Sequence, residues 1–289
     1  MNRKPLVVIV GPTASGKSML ALDVAIHFGG EIICADSRTV YKGMDIGTAK
    51  PSKADRALVP HHLLDIVEPN QPFTAADFKR LAQVAIEDII SRGKLPILVG
   101  GTGLYIDAII FDYQFGKPAD PERRAELQAL TIEQLQHMCA DEGIPLPTNE
   151  LNRRHLVRAI ELGGLISPQK SLRPETIVVG ITTDRSELRT RIEARAHLMV
   201  DEGVLQEVQT LANAYGWKAE AMTANIYRIF RPVIEDKMTL NQAIELFITS
   251  DMQLAKRQIT WLKRNQFIIW GEPAHLKTAI EHFVQQNNS

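Results

Sequence analysis

Leu6-Val7-Val8-Ile9-Val10 runs directly into Gly11-Pro12-Thr13-Ala14-Ser15-Gly16-Lys17-Ser18. Five consecutive apolar, mostly β-branched residues are the pattern of a strand buried on both faces of a parallel sheet. The next eight residues satisfy G-x-x-x-x-G-K-[ST] in full, a glycine-rich loop whose backbone N–H groups can turn inward around a phosphate. Ser18–Phe28 then carries helical periodicity through Leu20, Leu22, Val24, Ala25 and Phe28. Strand, phosphate loop and helix in this order predict an α/β fold, a P-loop core of parallel sheet with flanking helices. Ligands of such a sheet sit at the carboxyl ends of its strands.

Outward from this stretch, Glu31–Ala35 reads as a second strand and Asp77–Arg92 as an amphipathic helix. Pro96–Val99 reads as a third strand, ending in Gly100-Gly101-Thr102-Gly103. Between about Gln114 and Pro174 the strand signal disappears. Helical stretches replace it (Pro121–Leu130, Thr131–Asp141, Asn149–Leu162), broken by Gly143-Ile144-Pro145 and Gly163-Gly164. A small helical insertion domain over 114–174 is therefore expected within a core made of 1–113 and 175–289. The sheet resumes at Thr176–Ile181, followed by helices over Ser186–Asp201 and Leu205–Tyr215. Thr239 with Gln242 is a capping-box pattern. It opens a helical region to about Asn265, with a break expected near Thr249-Ser250, and Phe267–Trp270 reads as a last strand.

The chain of 289 residues is 45% hydrophobic and 23% charged, which excludes a disordered, collagen-like or coiled-coil protein. Lys and Arg number 33 against 34 Asp and Glu. That balance excludes a uniformly basic nucleic-acid binder and leaves room for local basic faces. Cys34 and Cys139 cannot build a disulfide framework and lack the spacing of a zinc site, so they read as free thiols in a reducing compartment. No apolar run is long enough to span a bilayer or to form a signal-peptide core. The expected location is the cytoplasm, with no membrane partner.

The chemistry concentrates at strand ends. Lys17 adds a point charge to a bound phosphate, and the Ser18 hydroxyl can ligate Mg²⁺. Asp36, emerging from the second strand, can be a metal ligand, a general base or a helix N-cap. The third strand ends without the acidic residue expected of a nucleotide-hydrolysing P-loop enzyme, which argues against an ATPase or small-molecule kinase. His61 and His62, adjacent in an extended segment, point to opposite sides and read as structural. Basic residues form three groups: Arg153, Arg154, His155 and Arg158; Arg185, Arg189, Arg191 and Arg195; Lys256, Arg257, Lys263 and Arg264. The second group reads as a solvated helix face, and Trp261 as a core residue.

The strings GPTASGKS (11–18), ADSRTVYKGMDIGTAKP (35–51), PHHLLDI (60–66), FTAADF (73–78), LPILVGGTGLY (95–105), RIEAR (191–195) and AKRQITWLKR (255–264) are spread over most of the chain. Together they resemble the bacterial tRNA dimethylallyltransferases, which isopentenylate adenine N6 beside the anticodon. The resemblance implies that the loop Gly11, Pro12, Thr13, Ala14, Ser15, Gly16, Lys17 and Ser18 holds the diphosphate of dimethylallyl diphosphate rather than a nucleotide to be hydrolysed. It implies Mg²⁺ as cofactor, with Ser18 as its ligand, and catalytic roles for Lys17 and Thr13. Asp36 matches the family's catalytic aspartate, the general base at N6 of adenine 37.

The same resemblance assigns contacts with the tRNA anticodon loop to Asp36, Ser37, Arg38, Thr39 and Thr102. Arg124, Arg154 and Arg158 would grip the RNA from the insertion, and Lys256, Arg257 and Gln258 from the AKRQ string. Only part of that triplet can touch RNA, because neighbours one and two apart on a helix do not share a face. Thr102 can equally be a helix cap, and Arg124 a solvated helix charge. Arg228, in Asn225-Ile226-Tyr227-Arg228, would contact the diphosphate, with Ile226 standing where the family usually has glycine. The target base must leave its stack to reach Asp36. A free adenine nucleotide as acceptor fits less well, since it needs no RNA-gripping arm. Nothing in the reaction requires more than a monomer.

Overall fold

The structure, a computed structural model, describes residues 5–116, 120–164 and 171–287. The chain folds as two compact units, Met1–Asp112 with Leu172–Ser289, and Tyr113–Ser171. The larger unit contains strands β1 (Leu6–Val10), β2 (Glu31–Cys34), β3 (His61–His62), β4 (Pro96–Gly100), β5 (Thr176–Ile181) and β6 (Ile268–Gly271). They form one parallel sheet in the order β3-β2-β4-β1-β5-β6. Its helices are α1 (Lys17–Phe28), α2 (Lys53–Leu58), α3 (Ala75–Ser91) and α4 (Gly103–Ile110). The smaller unit holds α5 (Pro121–Ala129), α6 (Ile132–Asp141) and α7 (Arg153–Glu161). The larger unit then continues with α8 (Arg185–Asp201), α9 (Val204–Tyr215), α10 (Asn225–Ile234), α11 (Leu240–Leu262) and α12 (Pro273–Asn287).

The apolar run of β1 is explained by its place. It pairs with β4 on one side and β5 on the other, with Val8 opposite both Leu98 and Val178, and all five residues are buried. Val7 and Ile9 share a core with Leu20 and Val24 of α1 and Ile280 and Val284 of α12. Val8, Val10, Ile33 and Leu98 are equally buried, and α3 and α4 pack against β2 and β4. Helices α8 to α11 form a second core around Met199, Val208, Tyr227, Phe230 and Phe247, joined by Val40, Tyr41 and Met44 from the segment after β2. The smaller unit closes its own core over Leu127, Leu135, Cys139, Leu156 and Ile160.

Four helices lie outside the expected elements. α4 is buried from Tyr105 to Ile110, so it has no polar face to create a period. α10 carries Pro232 inside it, and α2 spans only six residues. α12 follows a last strand that begins one residue later than expected, at Ile268. The break expected near Thr249-Ser250 is absent. α11 runs unbroken because Phe247, Ile248, Asp251 and Ala255 pack inward while Thr249 is exposed, so packing overrides weak propensity.

Glu31 opens β2 with a nearly buried carboxylate, hydrogen-bonded by Arg92 and, at 2.8 Å, by His62 Nε2. The Arg92 hydrogen bond is the main cause holding its pKa down at about 2. A carboxylate with a depressed folded pKa contributes stability above its unfolded pKa and loses it as pH falls toward the folded value. Glu31→Gln is therefore expected to cost about 1–3 kcal/mol at pH 7. In urea titrations the gap between variant and parent should shrink steadily as pH is lowered from 5 toward 2. A gap independent of pH would contradict the assignment.

Candidate active site

The carboxyl ends of β2 and β4 touch. A Cβ at Gly100 would stand 2.0 Å from the Ala35 carbonyl oxygen, so only glycine fits there. Ala35 N–H donates to Val99 O at 2.7 Å, and Thr102 N–H donates to Ala35 O at 3.3 Å. Ser37 N–H donates to Thr102 Oγ1 at 3.1 Å, which seats Asp36 beside the Gly-Gly-Thr-Gly turn. Asp36 Oδ1 accepts from Arg38 N–H at 2.8 Å, closing a turn rather than capping a helix, since the next helix begins at Lys53. Thr102 occupies the N-cap position of α4, but its hydroxyl serves Ser37 and makes no cap bond.

One strand further along, the loop after β1 wraps into α1. Gly16 sits at φ 89° as its N-cap, with no side-chain cap and no acidic residue in the first turn. The positive end of α1 is thus left for an anion. Ser15 is 1% exposed, and its hydroxyl has no partner among the described residues. The loop is braced from two helices. Thr13 N–H donates to Gln258 Oε1 of α11 at 2.8 Å, and Arg191 of α8 donates to Ser15 O at 3.1 Å.

The two strand ends open into one cavity of about 470 Å³. Thr13 to Ser18 line it on one side and Asp36 to Thr39 with Thr102 on another; α11 adds Arg257 and Gln258. Arg195 of α8 also enters it, ion-paired with Asp251, a carboxylate 4% exposed whose pKa burial pushes up. The Arg195 Nε–H is buried and has no partner. Among the described residues Lys17 Nζ donates only to Pro12 O, at 3.1 Å. Burial pushes its pKa down to about 8; Asp36 opposes that shift and Arg195 adds to it. Thr39, 6% exposed, has an unpartnered hydroxyl in the same cavity. Met199, Ile226, Phe247 and Leu254 add an apolar surface.

Several expected positions lie elsewhere. Arg228 is exposed on α10 and bonds only Asn225 at 3.4 Å; Ile226 faces the cavity two positions earlier, about 200° away around the helix. Lys256 lines a neighbouring groove with Arg185, Arg189 and Lys263, on the next face of α11. Gln258 is engaged with the phosphate loop itself. Arg124, Arg154 and Arg158 belong to the smaller unit, where Arg124 and Arg158 both pair with Glu161. Trp261 is 38% exposed rather than core, with its indole N–H donating to buried Asp107 at 2.9 Å. His62 bonds Glu31 as a structural histidine does, while His61 bonds Val59 O and also lines the cavity.

The reading of residues 185–195 as a solvated face is corrected by Arg191 and Arg195. A signal existed. Leu188, Ile192 and Met199 are buried at helical spacing, and Arg195 falls on that same stripe.

The IPP transferase family model matches residues 39–265. The tRNA dimethylallyltransferase of Macrococcus caseolyticus is 38% identical over 301 residues, covering 99% of this chain and 96% of that protein. That of Roseiflexus sp. is 41% identical over 277 residues, covering 90% of each. Among solved structures, the tRNA isopentenylpyrophosphate transferase of Bacillus halodurans superposes with a TM-score of 0.76 at 33% identity, covering 99% of this chain and 98% of that one. A eukaryotic dimethylallyltransferase acting on tRNA superposes with a TM-score of 0.79 at 25% identity, covering 94% of this chain and 74% of that one. With a family model over most of the chain, near full-length relatives and the overall fold in agreement, the chain belongs to the IPP transferase family.

Proposed function

We propose that this chain transfers the dimethylallyl group of dimethylallyl diphosphate to N6 of adenine 37 in tRNA, next to the anticodon, and that it works in the cytoplasm as a monomer. The observation that carries the reading is that Asp36 and the Lys17 loop open into one cavity, whose wall also holds the apolar side chains of Met199, Ile226, Phe247 and Leu254. The diphosphate lies on the free amides of the loop, facing Lys17, the Ser15 hydroxyl and the unpartnered Arg195 Nε–H. In this role Arg195 replaces Arg228. Adenine N6 attacks the allylic C1, the C1–O bond breaks, and the electron pair leaves with the diphosphate. The proton lost from N6 passes to the Asp36 carboxylate. Cations around the leaving group stabilise the charge that develops there. Ser37, Arg38, Thr39, Thr102 and Arg257 flank the acceptor side, while Arg124, Arg154, Arg158 and Lys256 offer phosphate contacts outside the cavity.

The residues fit Mg²⁺. Ser18 presents an exposed hydroxyl to the cavity from the first turn of α1. Among the described residues no group of three His, Cys, Asp or Glu side chains could hold an ion. Such a donor set suits a cation that keeps its waters and is completed by substrate phosphates. When bound, it would supply further charge neutralisation at the diphosphate.

Incubating unmodified tRNA with the protein, dimethylallyl diphosphate and Mg²⁺ should add one five-carbon unit to an adenine, read by mass spectrometry of the nucleosides. No gain would reject the proposal. Asp36→Asn keeps an acceptor for Arg38 N–H but removes the base, and should lower kcat by about 10²–10⁴-fold. Binding of the prenyl diphosphate should change only a few-fold, and unimpaired transfer would remove Asp36 from the mechanism.

Lys17 adds a pH prediction. Its folded pKa near 8 means the ammonium is half lost at pH 8, and a bound anion restores it. Calorimetry at pH 8 in buffers of different ionisation enthalpy should show uptake of about half a proton more than in Lys17→Arg. Equal proton uptake in the two proteins would contradict the assignment.

A further inference from the structure

Ile226 is 2% exposed, yet it lines the cavity from the first turn of α10. It meets the turn at Gly47 without slack, since a Cβ on Gly47 would stand 2.8 Å from Ile226 Cγ2 and 2.8 Å from the Tyr227 hydroxyl. Gly47, Thr48 and Ala49 line the cavity beside it. A loop wall would ordinarily yield to a larger ligand; this one is fixed from behind by two charged groups. The Glu207 carboxylate of α9 accepts from the N–H groups of Asp45, Ile46 and Gly47 at 2.8, 2.7 and 2.9 Å. It also accepts from the Tyr227 hydroxyl at 2.7 Å. The Lys50 ammonium, with its side chain 1% exposed, bonds Asp45 at 2.6 Å, Asp65 at 2.5 Å and Tyr41 O at 2.9 Å.

Ile226 also belongs to one continuous apolar cluster with Met199 and Phe247, against which Ala14 of the phosphate loop packs. Apolar surface therefore begins at the loop that grips phosphate and ends at the Ile226–Gly47 contact. We propose that this contact sets the length of isoprenoid chain the site admits, with Ile226 as the stop and Glu207 as the positioning residue that keeps the stop in place. The proposal rests on the reading of the cavity as a prenyl diphosphate site. On this proposal the space between loop and stop takes a dimethylallyl tail. A geranyl tail, five carbons longer, must displace Ile226 into a turn that has no room to move, and close packing makes that costly.

The test is the ratio of kcat/KM for dimethylallyl diphosphate to that for geranyl diphosphate, with one tRNA acceptor. The parent protein should favour the shorter donor by about 100-fold or more. Ile226→Ala should cut that ratio by about tenfold or more, and Ile226→Val should move it the same way by less. Glu207→Gln should also lower the ratio, through a changed KM for the longer donor rather than a common fall in kcat. A ratio unchanged within twofold in Ile226→Ala and Ile226→Val overturns the proposal. If Ile226→Ala does not fold, the ratio in Ile226→Val decides. Should the parent transfer neither group, the transfer reading fails by itself. The same ratio, taken from calorimetric binding of the two non-reactive thiolodiphosphates, then decides the chain-length claim.

Discussion

Lys17 is a half-buried cation whose pKa burial pushes down, with Asp36 opposing that shift and Arg195 adding to it, at a helix end without a side-chain cap among the described residues. Each feature alone is common. Together they place cationic groups and an open helix N-terminus around one cavity, a setting that suits an anion. The buried Ser15 hydroxyl and Arg195 Nε–H, both without partners among the described residues, add to that setting. Under the proposed reading, a substrate diphosphate supplies the partners these groups lack.

The fold makes this arrangement possible by bringing three strand ends together. β1 pairs on both edges, so the chain leaving it must turn through glycines before α1 can begin. The contact of Gly100 with Ala35 draws the ends of β2 and β4 together and carries Asp36 to the same edge as the phosphate loop. Gln258 and Arg191 then tie that loop to helices that come much later in the chain. The order β3-β2-β4-β1-β5-β6 puts the loops after β1, β2 and β4 next to each other although they are far apart in sequence.

Much of this was legible before any coordinates. β1, the phosphate loop and β5 could be read because buried parallel strands are written as unbroken apolar runs. Asp36 could be placed at a strand end, but only the turn to Arg38 excludes a helix cap. What stayed hidden depended on helix rotation and on partners distant in the chain. Arg228 and Ile226 stand two positions apart, and no local pattern tells which faces the cavity. Gln258 sits among basic residues and reads as part of an RNA-binding string, whereas its carbonyl is already taken by Thr13. Arg195 was hidden by its three arginine neighbours, although the apolar stripe of α8 marks it as inward-facing. Glu207 has no motif at all; its role appears only when three backbone amides converge on it.

The most direct examination of this account is a crystal structure of the protein with dimethylallyl thiolodiphosphate and an anticodon stem-loop. The diphosphate should lie on the amides of Ala14, Gly16, Lys17 and Ser18, against Lys17 and Arg195. The allylic carbon should point toward an everted adenine whose N6 is within hydrogen-bonding distance of Asp36. A diphosphate bound elsewhere, or an adenine held away from that carboxylate, would contradict it.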